Sequence, residues 1–105
     1  MTEAELTKAV ISLLDHHGWR AVHFKPAQGS RGEWRTPMLG RLAAGFPDIL
    51  AVRDDRGVVI ELKVGNRKPR PEQHAWLTAF EHAGFDAFFW TEVEWQDGTM
   101  DDELR

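Results

Sequence analysis

Apolar residues recur at helical spacing over residues 3–17, where Leu6, Ala9, Val10, Leu13 and Leu14 fall on one face. Thr2 is a suitable N-cap and Gly18 a suitable stop. Alternation then takes over from Trp19 to Phe24, which predicts a short strand. Residues 25–45 are rich in Gly, Arg and Pro and carry no apolar period, which predicts a long loop of the kind that carries function. Ile49-Leu50-Ala51-Val52 predicts a second strand, Asp54-Asp55-Arg56-Gly57 a turn, and Val58 to Val64 a third strand. Pro71 suits the first position of a helix whose apolar stripe is Ala75, Trp76, Ala79, Phe80 and Ala83, closed by Gly84. Phe85 to Thr91 predicts a last strand. The expected order is α-β-β-β-α-β in one domain over residues 1–95, followed by a polar, acidic and flexible tail over 96–105.

The central hairpin has a checkable geometry. A four-residue turn that pairs Arg53 with Val58 sets Asp48 opposite Lys63 and Leu50 opposite Glu61. Directly opposed residues, and residues two apart along a strand, project to the same side of a sheet. Asp48, Glu61 and Lys63 then share one face, while Ile49, Ala51, Ile60, Leu62 and Val64 share the other and need a helix over them. A slip of one residue moves Asp48 away from the other two.

Charge distribution adds a direction to this face. The chain has 105 residues and a net charge of -4. Between Arg20 and Arg70, however, eleven basic residues stand against five acidic ones, and the acids crowd the last fourteen residues. A basic middle suits a phosphate-facing surface on one side of the molecule. There is no cysteine, which excludes disulfides and thiolate metal sites. No apolar run approaches the roughly 20 residues that span a bilayer. Glu3 and Glu5 replace the basic and apolar parts of a secretion signal, so a cytoplasmic location is expected.

Two acids and a lysine on one strand face can hold a hard cation beside a positive charge. Mg²⁺ is usually bound by one or two carboxylates together with waters and phosphate oxygens. Asp48 and Glu61 supply carboxylates, and the Leu62 carbonyl between Glu61 and Lys63 can add a third protein donor. Lys63 can orient a water or balance charge on a phosphorus centre. The same trio read alone is also a surface salt-bridge cluster of small energetic value.

The wider pattern separates these readings. Gly45-Phe46-Pro47-Asp48, then Glu61-Leu62-Lys63, then Pro71-Glu72-Gln73 opening a helix, resembles the PD-(D/E)XK nuclease superfamily and, within it, the VRR-NUC family of small nuclease domains. The resemblance covers roughly residues 3–91. It implies a restriction-endonuclease-like α/β core with a mixed sheet flanked by helices. It implies Asp48 and Glu61 as metal ligands with the Leu62 carbonyl, Lys63 as the catalytic lysine, and Gln73 as a residue that shapes the site. An acid on the first helix that reaches the metal is also implied; Glu5, just before Leu6, is the candidate and Glu3 the fallback. Acids in a first helical turn also serve the helix dipole. The valine-arginine-arginine signature is not evident, the last strand reading Ala87-Phe88-Phe89-Trp90-Thr91, and Arg70 stands where the family often has a capping serine or threonine.

The expected activity is a Mg²⁺- or Mn²⁺-dependent, structure-selective DNA endonuclease, with no organic cofactor. Lys25, Arg31, Arg35, Arg41, Arg67, Lys68 and Arg70 are the candidates for contacts to the DNA backbone. By resemblance, the chain would act as a homodimer on branched DNA such as Holliday junctions, in repair, recombination or phage DNA processing, in a bacterial cell or phage-infected host. A restriction-type or nicking nuclease on duplex DNA, and a non-catalytic nucleic-acid-binding module, stay open as alternatives. Trp34 is equally suited to stacking on an unpaired base and to anchoring its loop.

Overall fold

A computed structural model describes residues 1–24, 27–28, 34–35 and 40–105, the two short stretches as backbone strands only. Helix α1 (Glu3–His16) starts where Thr2 and Glu5 cap one another: Glu5 N–H donates to Thr2 Oγ1 (3.1 Å), and Thr2 N–H donates to Glu5 Oε1 (2.8 Å). Strand β1 (Arg20–His23) follows. Strands β2 (Ala27–Gln28) and β3 (Trp34–Arg35) pair with each other, so four positions of the expected loop are strand. Strands β4 (Ile49–Arg53) and β5 (Arg56–Leu62) form the central hairpin, and helix α2 (Pro71–His82) crosses over to strand β6 (Asp86–Trp90). The main sheet runs β1-β4-β5-β6, with β6 parallel to β5 and the other two pairings antiparallel. The fold is therefore mixed α/β, with a four-stranded mixed sheet flanked by helices.

The hairpin register differs from the expected one. Arg53 pairs with Arg56, not Val58, and the turn shrinks to Asp54-Asp55. Asp54 accepts the left-handed conformation (φ 54°), which a short polar side chain tolerates. Gly57 belongs to β5, where the Phe85 ring packs in the space of its missing side chain; a Cβ there would stand 2.6 Å from Phe85 Cε2. Arg56 is recruited by Asp86, its Nε donating to Oδ2 at 2.7 Å. The shift is two residues, and the side-chain period of a strand is two. Asp48, Glu61 and Lys63 thus keep a common face, but Asp48 now lies opposite Glu61, one step beyond the Ile49–Ile60 pair.

Each face has its own apolar filling. Leu6, Val10 and Leu14 on α1 pack with Ile49, Ala51, Val58, Ile60, Leu62 and Trp90. Across the sheet, Val59 is fully buried and α2 contributes the buried Leu77, beside edge-to-face contacts among Phe24, Phe46, Trp76, Phe80 and Phe85.

The C-terminal segment is not the flexible tail expected over 96–105. Helices α3 (Glu92–Gln96) and α4 (Thr99–Leu104) occupy it, and Met100 and Leu104 are fully buried against α1 and the sheet. Trp19 Nε1 donates to the Leu104 carbonyl (2.8 Å), and His17 Nε2 meets Asp101 Oδ1 at 2.8 Å. The acids of this segment face outward, while an i, i+4 apolar pair faces in. No described helix is long and apolar enough to cross a membrane.

Candidate metal and phosphate site

The site lies at the end of the β4–β5 hairpin under the first turn of α2. Gly45 brings the chain to Asp48 through a path that only glycine takes. Its φ is 84°, and a Cβ would stand 2.6 Å from the backbone carbon of Glu72. Pro47, fully buried, and Phe46, packed on Trp76 and Phe80, then fix the approach against α2. Asp48 Oδ2 accepts from the Leu62 N–H at 2.8 Å, which ties the acid to the strand that carries its partners.

Glu61 is 2% exposed and Gln73 4% exposed, the buried polar pair of this core. Gln73 Nε2 donates to Glu61 Oε1 at 2.6 Å, and Gln73 Oε1 accepts from the Arg70 N–H at 2.9 Å. The one side chain thereby closes the open end of α2 and holds the acid. Glu61 Oε2 is buried and has no hydrogen-bond partner. Burial first, and then the charge of Asp48, pushes the Glu61 carboxyl up to about 8, with Lys63 opposing in part. Lys63 Nζ is 3.9 Å from Glu61 Oε1 and its side chain is 19% exposed.

Asp48, Glu61, Leu62, Lys63 and Gln73 are thus brought together. Glu5 is not. It is exposed, and its carboxylate is spent on the Thr2 N–H, which together with the Thr2 side chain holds it below the usual range. The reason is helical geometry: residues three apart share a face, and adjacent residues lie about 100° apart. Leu6 points into the core, so Glu3 and not Glu5 lies along the inner edge. Glu3 Oε1 stands 3.8 Å from Lys63 Nζ and Oε2 3.9 Å from an Arg67 guanidinium nitrogen.

The basic candidates divide. Arg67, Lys68 and Arg70 occupy the exposed connection between β5 and α2, where Arg70 Nε meets Glu72 Oε1 at 3.2 Å. Arg41 is exposed beside the first turns of α2. Lys25 and Arg31 lie outside the described residues; Arg35 and Trp34 are described only as backbone of β3. Sequence reasoning missed Glu92, whose carboxylate accepts from the Gly65 N–H (3.1 and 3.2 Å) and anchors the start of the basic connection. Thr91-Glu92-Val93-Glu94 is a capping box that could have announced α3, but the reach to Gly65 has no local signal.

Among the described residues, no group of three or more His, Asp or Glu side chains gathers at metal-binding range. The donor set is two carboxylates with a neighbouring backbone carbonyl. An orphaned carboxylate oxygen buried beside a second carboxylate is chemically suited to a hard cation, because buried polar atoms are otherwise paired. Compared with protein-family models and with curated proteins, the chain matches none.

Proposed function

We propose that this chain is a metal-dependent, structure-selective DNA endonuclease with a PD-(D/E)XK core of the VRR-NUC kind. The observation that carries the reading is the buried, unpartnered Oε2 of Glu61, a residue that feels the charge of Asp48 and whose Oε1 lies 3.9 Å from Lys63 Nζ. Asp48, Glu61 and the Leu62 carbonyl would hold Mg²⁺ or Mn²⁺. When bound, such an ion neutralises phosphate charge and lowers the pKa of a coordinated water.

The remaining work falls to the chain itself. Gln73 fixes the rotamer of Glu61, so that Oε1 is committed to a hydrogen bond and Oε2 is presented. Asp48 is fixed by the Leu62 amide. Lys63 carries three donors on a flexible stem, suited to a non-bridging phosphate oxygen or to the attacking water. Arg41, Arg67, Lys68 and Arg70 offer cations on the exposed loops around the site, where backbone contacts position DNA without reading its sequence. The described residues offer no separate sequence-reading module, which favours recognition of DNA shape. Action as a homodimer would pair two such sites by a two-fold axis for paired nicks in a branched junction.

The test uses a labelled four-way junction and a linear duplex, each incubated with protein in Mg²⁺, Mn²⁺ or EDTA. Metal-dependent cleavage of the junction in preference to the duplex is expected. No cleavage of any substrate, or cleavage undiminished in EDTA, rejects the reading. Light scattering at the assay concentration tests the dimer, and a strict monomer counts against paired nicking.

A further inference from the structure

Glu3 stands in an unusual place for an acid in a first helical turn. Its two carboxylate oxygens divide between two cations from different elements: Oε1 lies 3.8 Å from Lys63 Nζ, at the end of β5, and Oε2 lies 3.9 Å from an Arg67 nitrogen, in the basic connection. Neither distance is that of a hydrogen bond. The anion is drawn between the two cations without being fitted to either. The Glu3 and Arg67 side chains are both substantially exposed, at 41% and 68%. Exposed ion pairs of this kind are weak and readily exchanged.

We propose that Lys63 and Arg67 form a phosphodiester seat at the edge of the candidate metal site, and that Glu3 is its resident counter-anion, displaced when DNA binds. This inference rests on the nuclease reading for the identity of the ligand. A phosphodiester, like a carboxylate, presents two terminal oxygens that share one negative charge, so it can span the same two cations. Arg67 can also engage phosphate through two parallel N–H donors, which Glu3 does not exploit at 3.9 Å. The incoming phosphate is therefore the better ligand. Glu3 loses little on release, because an acid at the first position of α1 remains favoured by the exposed amides of that helix end. The exchange makes Glu3 an internal competitor that lowers affinity for any single phosphate.

The experiment measures binding of a short fluorescent DNA duplex in EDTA, so that cleavage plays no part. Glu3→Gln is expected to tighten binding about two- to fivefold, the range set by loss of a weak exposed pair. Glu5→Gln, which removes the same charge two residues away, is expected to change it much less. In an Arg67→Gln background, Glu3→Gln is expected to gain less, since only its contact with Lys63 is left to relieve. Unchanged or weaker binding by Glu3→Gln overturns the proposal. So does an equal gain from Glu5→Gln, an equal gain in the Arg67→Gln background, or no binding by any variant. A cycle that behaves as expected alongside wild-type protein that never cleaves would leave the seat standing and reject only the catalytic reading.

Discussion

Gln73 Nε2 donates to Glu61 Oε1 at 2.6 Å and leaves Glu61 Oε2 buried without a partner. The same glutamine accepts from the Arg70 N–H at the start of α2. Replacing it with an apolar residue of similar size strands a buried carboxyl oxygen and opens the first helical turn together. Gln73→Leu should therefore lose about 1–3 kcal/mol of stability, the usual penalty for an orphaned buried polar group. Urea unfolding followed by circular dichroism measures it. A variant as stable as the wild type would mean that the pair is not formed in solution.

The Glu61 carboxyl predicts a pH dependence of known sign. Its proton is held more tightly in the folded chain, at about 8, than at the ordinary 4.5, chiefly through burial. The folded state then binds more protons than the unfolded one across this window. Its contribution to stability is full below about 4.5 and is lost as the pH rises through about 8. Glutamine keeps the shape and the hydrogen bond but has no proton to lose. In EDTA, the melting temperature of Glu61→Gln should gain on that of the wild type as the pH is raised through this window. Two parallel profiles would refute the buried, protonated state.

Much of this site was legible because two periods, 3.6 and 2, do not depend on detail. The expected hairpin register was wrong by two residues, yet the face shared by Asp48, Glu61 and Lys63 survived, since a strand repeats every two. Gln73 entered through the resemblance, at the opening of a helix whose start Pro71 marks. Glu5 was chosen over Glu3 because it lies next to Leu6 in sequence, but on a helix the neighbour is turned by about 100° and the residue three away shares the face. Residues 96–105 were misread because their acids outnumber Met100 and Leu104, and composition hides an i, i+4 pair. The Glu92–Gly65 contact joins residues 27 apart, and no local pattern encodes it.

The burial of α4 makes a direct claim about that segment. Leu104 is fully buried with Met100, Leu6 and Leu14 in one cluster. Leu104→Ala should cost about 2–5 kcal/mol, as a large-to-small change in a closed core does. Asp102→Ala, on the exposed side of the same helix, should change stability by less than about 0.5 kcal/mol. Equal, small effects at both positions would return the segment to a frayed tail.

Lys63 and Glu5 give opposite expectations for cleavage. Lys63 lies beside Glu61 with its side chain mostly covered, and removing a charge-stabilising donor from such a site typically costs about a hundred- to a thousandfold in rate. Lys63→Ala should lose cleavage by that order while its circular dichroism spectrum stays that of the wild type. Glu5→Gln should cleave as the wild type does, because its carboxylate is engaged with Thr2 and not with the site. Cleavage undiminished in Lys63→Ala removes the lysine from the mechanism. Cleavage abolished in Glu5→Gln restores Glu5 to the metal site.

Metal binding should release a proton, and this follows from the same buried pair. A carboxyl held up to about 8 carries its proton at neutral pH, and a cation can take Glu61 Oε2 only in its place. Titration calorimetry with Mn²⁺ at pH 7, in two buffers of different ionisation heat, should therefore report close to one proton released per ion. Apparent affinity should rise with pH and level off once the carboxyl ionises, near 8. Glu61→Gln should abolish both the proton release and most of the binding. Tight binding without proton release would place the ion on ligands that do not include Glu61, and would separate the metal from the acid that α2 holds in place.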